Sequence, residues 1–257
     1  MRKRRIIPGV DPKLLIKDAA KVMPDPGRRF FLRGAASLGA LTFLTGCDIN
    51  DSFSAESVLR KISEFNDGAQ ALLFSQSKLA PTYPESAITK DFPFNAYYTE
   101  DEAPEVDGKA YKLIVGGMVD NKKTWTLDEL YALPQERQIT RHVCVEGWSA
   151  IGSWTGARLS DFLKRIGTDT RAKYVWFRCA EGYSNTIDMA TAMHPQTQMT
   201  FKYGNEILPV KYGFPMKIRI PTKLGFKNPK HVMEMHVTNK DLGGYWEDKG
   251  YNWFSGL

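Results

Sequence analysis

The positive charge of this 257-residue chain is concentrated at one end, and that asymmetry limits where a folded body can lie. Residues 1–46 carry ten Lys and Arg against three acids (Asp11, Asp18, Asp25), whereas the remainder holds 25 bases and 26 acids. The formal charge of +6 thus belongs to a leader. A basic footprint for nucleic acid on the rest of the chain has no support, and no nucleic-acid partner is expected. With 42% hydrophobic and 12% aromatic residues, the chain is long enough beyond its leader to bury one large core or two small ones.

The leader itself reads as an export signal. Arg28-Arg29-Phe30-Phe31-Leu32-Arg33 is a twin-arginine pattern, followed by the charge-free run Gly34 to Leu44. That run is too short for a bilayer span, which needs roughly 20 residues. Leu44-Thr45-Gly46-Cys47 resembles a lipoprotein processing box, which makes Cys47 the candidate lipidation site, and Asp48 resembles an inner-membrane retention signal. Residues 1–46 are therefore expected to be removed, leaving a periplasmic protein held on the membrane surface through Cys47. Twin-arginine leaders resemble those of proteins exported already folded, so a cofactor inserted before export is expected.

Beyond the leader, residues 47–90 read as a polar linker with short helical structure. Val58, Leu59, Ile62, Phe65, Ala69, Leu72 and Leu73 are helically spaced over Ser57 to Phe74, and Pro81, Pro84 and Pro93 then break regularity. Residues 91–257 read as one domain. Strands are expected at Tyr111–Val115, Lys173–Arg178, Lys217–Pro221 and His231–Val237. Capped helices are expected at Thr126–Leu130 and Leu159–Leu163, with Glu129 in capping-box spacing from Thr126. Strands interspersed with short helices, without βαβ repeats, predict an α+β fold of mixed sheets. No internal repeat is apparent.

With Cys47 set aside, two cysteines remain, Cys144 and Cys179, which allow one disulfide in an exported protein. The surroundings of Cys144 suggest chemistry instead. Arg141-His142-Val143-Cys144-Val145-Glu146-Gly147-Trp148-Ser149 packs a thiol, an imidazole, a carboxylate and an indole together. A strand over Gln138–Val145 puts His142, Cys144 and Glu146 on one face, and Gly147 turns the chain after them. Arg141 and His142 are expected to lower the thiol pKa, which suits soft-metal ligation or nucleophilic work. Zinc fails on ligand count: Cys-x-x-Cys and His-x-x-x-His pairs are absent, and His142, His194, His231 and His236 are scattered. As a base for a Cys nucleophile, His142 is poorly placed on the same face. A metal that brings most of its ligands on an organic cofactor needs only one thiolate.

Four segments, in order, resemble the sulfite-oxidase-type molybdopterin-dependent oxidoreductases, most of all the branch of the periplasmic methionine-sulfoxide reductase catalytic subunits. Phe94-Asn95-Ala96-Tyr97-Tyr98-Thr99 resembles an Asn-x-x-Tyr pterin contact. Cys144 to Ser149, with Trp154-Thr155-Gly156 and Leu159, resembles the metal-ligand segment. Tyr212 to Pro221 and Leu224 to Lys230 resemble the two segments that hold the pterin and its phosphate. The match spans about residues 92–240. It implies that Cys144 ligates molybdenum, and that Asn95, Tyr98, Thr99, His142, Cys179, Tyr212, Lys217, Asn228, Pro229 and Lys230 surround a molybdenum-molybdopterin in its mononucleotide-free form. Three positions depart from the family pattern: Tyr212 for Asn or His, Lys217 for Arg, and Cys179 for Thr. Lys217 keeps the cation but loses the bidentate fork. Cys179 reads equally as a pocket neighbour or as a buried strand residue. Lys230 and Lys227 are both possible phosphate ligands, Lys227 alternatively a solvated charge.

The resemblance implies two-electron oxygen-atom transfer, with Glu146 and Trp148 joining Cys144 as catalytic candidates. A carboxylate beside the metal ligand repels sulfite, since like charges about 4 Å apart cost about 4 kcal/mol at an effective dielectric near 20. Small-molecule or protein-bound sulfoxides, methionine sulfoxide among them, or other S- or N-oxides, fit better. An oxidase of unknown substrate and a cofactor-free binding lipoprotein with Cys144 and Cys179 joined are the alternatives. No haem motif is present, so a separate donor is expected: a b-type cytochrome membrane subunit or another quinol-linked protein. The immunoglobulin-like C-terminal dimerisation domain of sulfite oxidases is not expected, which favours a monomeric catalytic subunit.

Overall fold

The computed structural model describes residues 55–257; the leader and Cys47 lie outside the described residues. Leu59–Leu257 form one compact unit, and both sheets belong to it. The fold is α+β, with two mixed or antiparallel sheets and few short helices.

The first sheet has the order β2-β1-β10-β5-β6, formed by β1 (Lys112–Gly117), β2 (Thr124–Thr126), β5 (Tyr174–Cys179), β6 (Ser184–Asp188) and β10 (Val232–Thr238). Only β1 and β10 run parallel; the other neighbours are antiparallel. In β1 the period of two is explicit: Leu113 and Val115 are buried while Lys112 and Ile114 are exposed. The second sheet orders β3 (Glu136–Val143), β4 (Ser149–Arg158), β7 (Gln198–Tyr203) and β8 (Glu206–Ile207), with β9 (Lys217–Arg219) also paired to β7. One apolar cluster draws on both sheets, from Leu113, Val175, Phe177 and Met235 to Ala157, Phe201 and Ile218. A smaller aromatic cluster joins Phe92, Trp154, Tyr203 and Tyr212.

Helix α2 (Leu127–Tyr131) carries the expected capping box: the Thr126 hydroxyl accepts from the Glu129 amide at 3.3 Å, and the Glu129 carboxylate accepts from the Thr126 amide at 2.8 Å. Helix α3 (Leu159–Arg165) lacks the cap expected of it, because Arg158 precedes it. It is tied in by burial of Leu159, Phe162 and Leu163 and by the Leu159 amide donating to the Thr197 carbonyl at 2.9 Å. A further short helix, α4, covers Met189–Ala192.

Helix α1 (Ala55–Leu73) forms where the apolar spacing predicts, but the spacing does not mark a core face. Leu59, Ile62, Phe65, Leu72 and Leu73 point outward, whereas Ser63, Asp67 and Gln70 are half-buried. The Asp67 carboxylate accepts from the Trp253 and Phe254 amides and the Gln70 side chain from the Gly256 amide, so polar contacts dock the helix. Among the described residues, no helix is long and apolar enough to cross a membrane. Residues after α1 are stitched to the second sheet: the Tyr83 amide donates to the Ile139 carbonyl, and the Thr89 amide to the Ile151 carbonyl.

Candidate active site

Strand β3 ends at Val143, so Cys144 is not on the strand face that the sequence suggests; it opens the hairpin turn into β4. The Cys144 amide donates to the Trp148 carbonyl at 2.9 Å and its carbonyl accepts from the Gly147 amide at 3.1 Å. Gly147 has φ +94°, a left-handed geometry that a side chain resists, and this fixes the turn. The strand's inward face is Gln138, Thr140 and His142, which places His142 in the interior while the turn carries Cys144 to the wall of a cleft.

That cleft is lined by Cys144, Val145 and Glu146 from one side and by Glu181 and Tyr183 from the β5–β6 turn. Asn95, Ala96, Tyr97 and Tyr98 line it from the segment before β1, and Gly225, Phe226, Asn228, Pro229 and Lys230 from the loop before β10, with Trp246. Seven of the residues picked from sequence therefore converge: Cys144, Glu146, Asn95, Tyr98, Asn228, Pro229 and Lys230. The Asn95 amide nitrogen lies 3.1 Å from Cys144 Sγ, and Sγ lies 3.7 Å from Glu146 Oε2. The indole of Trp148 donates to the same carboxylate oxygen at 3.0 Å.

The remaining sequence candidates stand elsewhere. Trp148 holds Glu146 and tilts over His142, with ring centroids 5.8 Å apart, and does not line the cleft. Thr99 is exposed at the start of a 3-10 turn, its amide donating to Glu102. Tyr212 belongs to the aromatic cluster, its hydroxyl donating to the Phe92 carbonyl at 2.8 Å. Cys179 is fully buried in the main core at the end of β5, which favours the buried-strand alternative for it. Both cysteines are free, so the disulfide-linked binding protein is not realised. Lys227 is not a solvated charge: its buried ammonium pairs with Glu247 and donates to the Thr186 carbonyl, and Lys227 is not among the residues that line the cleft.

The electrostatics around Cys144 also differ from the expectation. Burial and the Glu146 carboxylate push its thiol pKa up, against the Glu146 amide and Asn95, which pull it down. His142 does not help: burial, with Arg219, Lys217 and Lys230 nearby, drives its pKa well down and keeps the ring neutral. Arg141 faces the other way, its guanidinium 5.4 Å from the Tyr83 ring. A bound cation at Sγ is what such a thiol needs to ionise.

Behind the loop wall lie Lys217, Arg219 and Lys230; among the described residues none is in an ion pair with a carboxylate, and only Lys230 is acted on by carboxylates, Glu181 and Glu100. Lys217 is buried on β9 with its ammonium 4.9 Å over the Trp154 ring, and burial together with Lys230 and Arg219 drives its pKa well down. Arg219, which the sequence reading missed, donates to Asn228 Oδ1 at 2.8 Å and to the Arg141 carbonyl at 2.6 Å. Its burial lowers its pKa to about 9, and its Nε is unpartnered. Both His142 ring nitrogens are also buried without partners. Gly225 leaves the space beside them: a Cβ there would stand 2.5 Å from His142 Nε2. Lys230, lowered to about 8 mainly by burial, reaches the cleft with its ammonium over the Phe94 ring. An anionic, hydrogen-bonding group with a thiophilic metal fits this donor set: a thiol at one wall, and cations and a neutral imidazole awaiting partners at the other. Among the described residues, no cluster of three or more His, Cys, Asp or Glu could hold a metal by itself.

The two sides of the cleft repeat one another. Cys144-Val145-Glu146-Gly147-Trp148-Ser149 and Cys179-Ala180-Glu181-Gly182-Tyr183-Ser184 are both strand-ending turns. In the second, the Cys179 amide donates to the Tyr183 carbonyl at 2.8 Å, the Gly182 amide to the Cys179 carbonyl at 3.2 Å, and Gly182 has φ +83°. No repeat was apparent from sequence because six residues are too short a period to stand out; strand-turn placement is the signal that reveals it.

The comparisons with known proteins decide the family. The model of the oxidoreductase molybdopterin-binding domain matches residues 100–246. The chain belongs to this oxidoreductase family. It is 57% identical over 240 residues to a protein of Azospira oryzae provisionally named as a protein-methionine-sulfoxide reductase subunit, covering 93% of this chain and 92% of that protein. It is 32% identical over 152 residues to the protein-methionine-sulfoxide reductase catalytic subunit of Ralstonia nicotianae, covering 53% of this chain and 46% of that one. The crystal structure of the sulfane dehydrogenase SoxCD of Paracoccus pantotrophus superposes with a TM-score of 0.51 at 19% identity, over 55% of this chain and 41% of that one, a likeness of fold. As a member of the molybdopterin-binding family, the protein is an oxidoreductase that uses a molybdenum cofactor.

Proposed function

We propose that the protein reduces sulfoxides, methionine sulfoxide among them, with Cys144 as the protein's ligand to molybdenum. The observation that carries the reading is the buried Cys144 thiol facing a cleft backed by buried Lys217, Arg219 and Lys230, none of which is in an ion pair with a carboxylate among the described residues. Bound there, a molybdenum pterin dithiolene supplies two-electron oxygen-atom transfer. The residues present suit holding it: Cys144 for the metal, His142 and Asn228 near the ring system, Lys230 with Lys217 and Arg219 behind it for the phosphate. The form without an appended nucleotide is the one that the family resemblance implies.

The chain's own groups then define the substrate. The Glu146 carboxylate at the cleft wall disfavours an anion such as sulfite and admits a neutral sulfoxide. Tyr97, stacked on Tyr245 at 4.5 Å between centroids, and Tyr183 offer aromatic surface to a thioether sulfur. Asn95 and Trp148 orient Cys144 and Glu146, fixing the wall on which the reaction occurs. The relatives named as reductase subunits agree with this direction of reaction. The twin-arginine leader and Cys47 support a periplasmic enzyme on the inner membrane, supplied with electrons by a quinol-linked membrane partner such as a b-type cytochrome.

Turnover of methionine sulfoxide by the molybdenum-containing protein with a reduced viologen dye tests the reading. Oxidation of the dye on adding sulfoxide is expected; an enzyme that carries molybdenum yet oxidises no dye with any sulfoxide would refute it.

A further inference from the structure

Glu181 occupies, in the β5–β6 turn, the position that Glu146 occupies beside Cys144, and both side chains line the cleft. Their partners differ. Glu146 accepts from the Trp148 indole and faces the thiol, so its carboxylate is engaged. Glu181 Oε2 is buried with no hydrogen-bond partner, while the turn that carries it is held by Tyr97, whose hydroxyl donates to the Glu181 carbonyl at 3.2 Å. A buried carboxyl oxygen without a donor is costly as an anion and acceptable as an acid.

We propose that Glu181 is the acid that delivers a proton to the oxygen leaving the substrate. The inference rests on the sulfoxide-reductase reading. In that reaction the sulfur–oxygen bond breaks, sulfur keeps the electron pair supplied by the quinol-linked donor, and the oxygen leaves as water after taking two protons. Glu181 supplies one of them and solvent the other, and its place on the wall of the open cleft, half-buried, lets solvent reprotonate it. The groups facing it are Lys230, Tyr97, Tyr98, Tyr183 and Cys179. Burial raises its pKa to about 7, outweighing its own backbone amide and Lys230, which pull the other way. An acid of that strength holds its proton part of the time at neutral pH, the range in which proton transfer is efficient.

The test compares wild type with Glu181→Gln and Glu181→Asp, with activity expressed per bound molybdenum and the protonated-carboxyl stretch followed by infrared spectroscopy of the resting holoenzyme. The wild-type kcat falls as pH rises through about 7, where Glu181 loses its proton. Glu181→Gln lowers kcat about 100-fold with little change in KM and removes that fall, while Glu181→Asp restores part of the rate. The infrared band titrates near neutrality in wild type and is missing in Glu181→Gln. A glutamine variant within about twofold of wild type with the same pH profile overturns the proposal, as does a band that titrates in the ordinary carboxylate range. Wild-type holoenzyme without sulfoxide turnover overturns the sulfoxide reading instead, and the infrared midpoint alone then decides whether Glu181 holds a proton at neutral pH.

Discussion

Cys144 follows the last residue of one strand and Cys179 is the last residue of another, and each is followed by x-Glu-Gly-aromatic-Ser in the same hydrogen-bonded turn, yet their environments diverge. The first turn sets its thiol at the cleft wall, with Asn95 at 3.1 Å and a carboxylate beyond it. The second sinks its thiol fully into the main core and leaves the carboxyl to face the cleft. Backbone geometry is thus shared, and the packing behind each turn separates the roles proposed for them: a metal ligand on one side, a proton-holding acid on the other.

Exchanging the thiols breaks the comparison most severely. Cys144→Ser should lose more than about 100-fold in sulfoxide turnover with the fold intact, because a ligand is worth more than the outer contacts that tune it. Cys179→Ala should keep turnover and cost about 1 kcal/mol in urea unfolding, the effect of a small buried void. Similar activity losses for the two would mean that the turns are functionally equivalent.

The two carboxyls separate next, through stability. Because the folded state raises the Glu181 pKa from 4.5 to about 7, the folded protein binds the extra proton, and the stabilisation present below about pH 4.5 is lost as pH rises through about 7. Glu181→Gln should therefore be more stable than wild type above pH 7, by about 1–3 kcal/mol after allowance for solvent screening, and not below pH 4.5. Denaturant midpoints at the two pH values check this. The glycines provide the smallest effect and the test of shared geometry. No atom lies within 4 Å of a Cβ built on Gly147 or Gly182, so alanine at either meets only the left-handed backbone, about 1 kcal/mol. Unequal costs at the two sites would show that the turns are not alike.

Much of this was legible in the residues. The Thr126–Glu129 box and the strands at Lys173–Arg178 and His231–Val237 obey local rules that the fold keeps. Strand β4 was not legible, because Gly152, Ser153 and Gly156 let it bury both faces and erase the period of two. Neither was β7, whose polar Gln198 and Thr200 are buried through hydrogen bonds to each other and to the Glu136 and Gly156 carbonyls. Apolar spacing in α1 misled about its direction, since Asp67 and Gln70 dock it and the apolar residues face out. At the site, motif order picked Cys144, Asn95 and Lys230. It missed Arg219 and Glu181, whose importance comes from burial without a counter-charge or donor, a property of packing.

The central claim is that Cys144 binds the metal, and sulfur ligation at molybdenum measures it directly. X-ray absorption of natively folded wild type, alongside metal and pterin analysis, should show stoichiometric molybdenum and pterin and a thiolate sulfur ligand that Cys144→Ser lacks and Cys179→Ser retains. Absence of molybdenum and pterin from the wild type, or an unchanged sulfur shell in Cys144→Ser, would contradict the account.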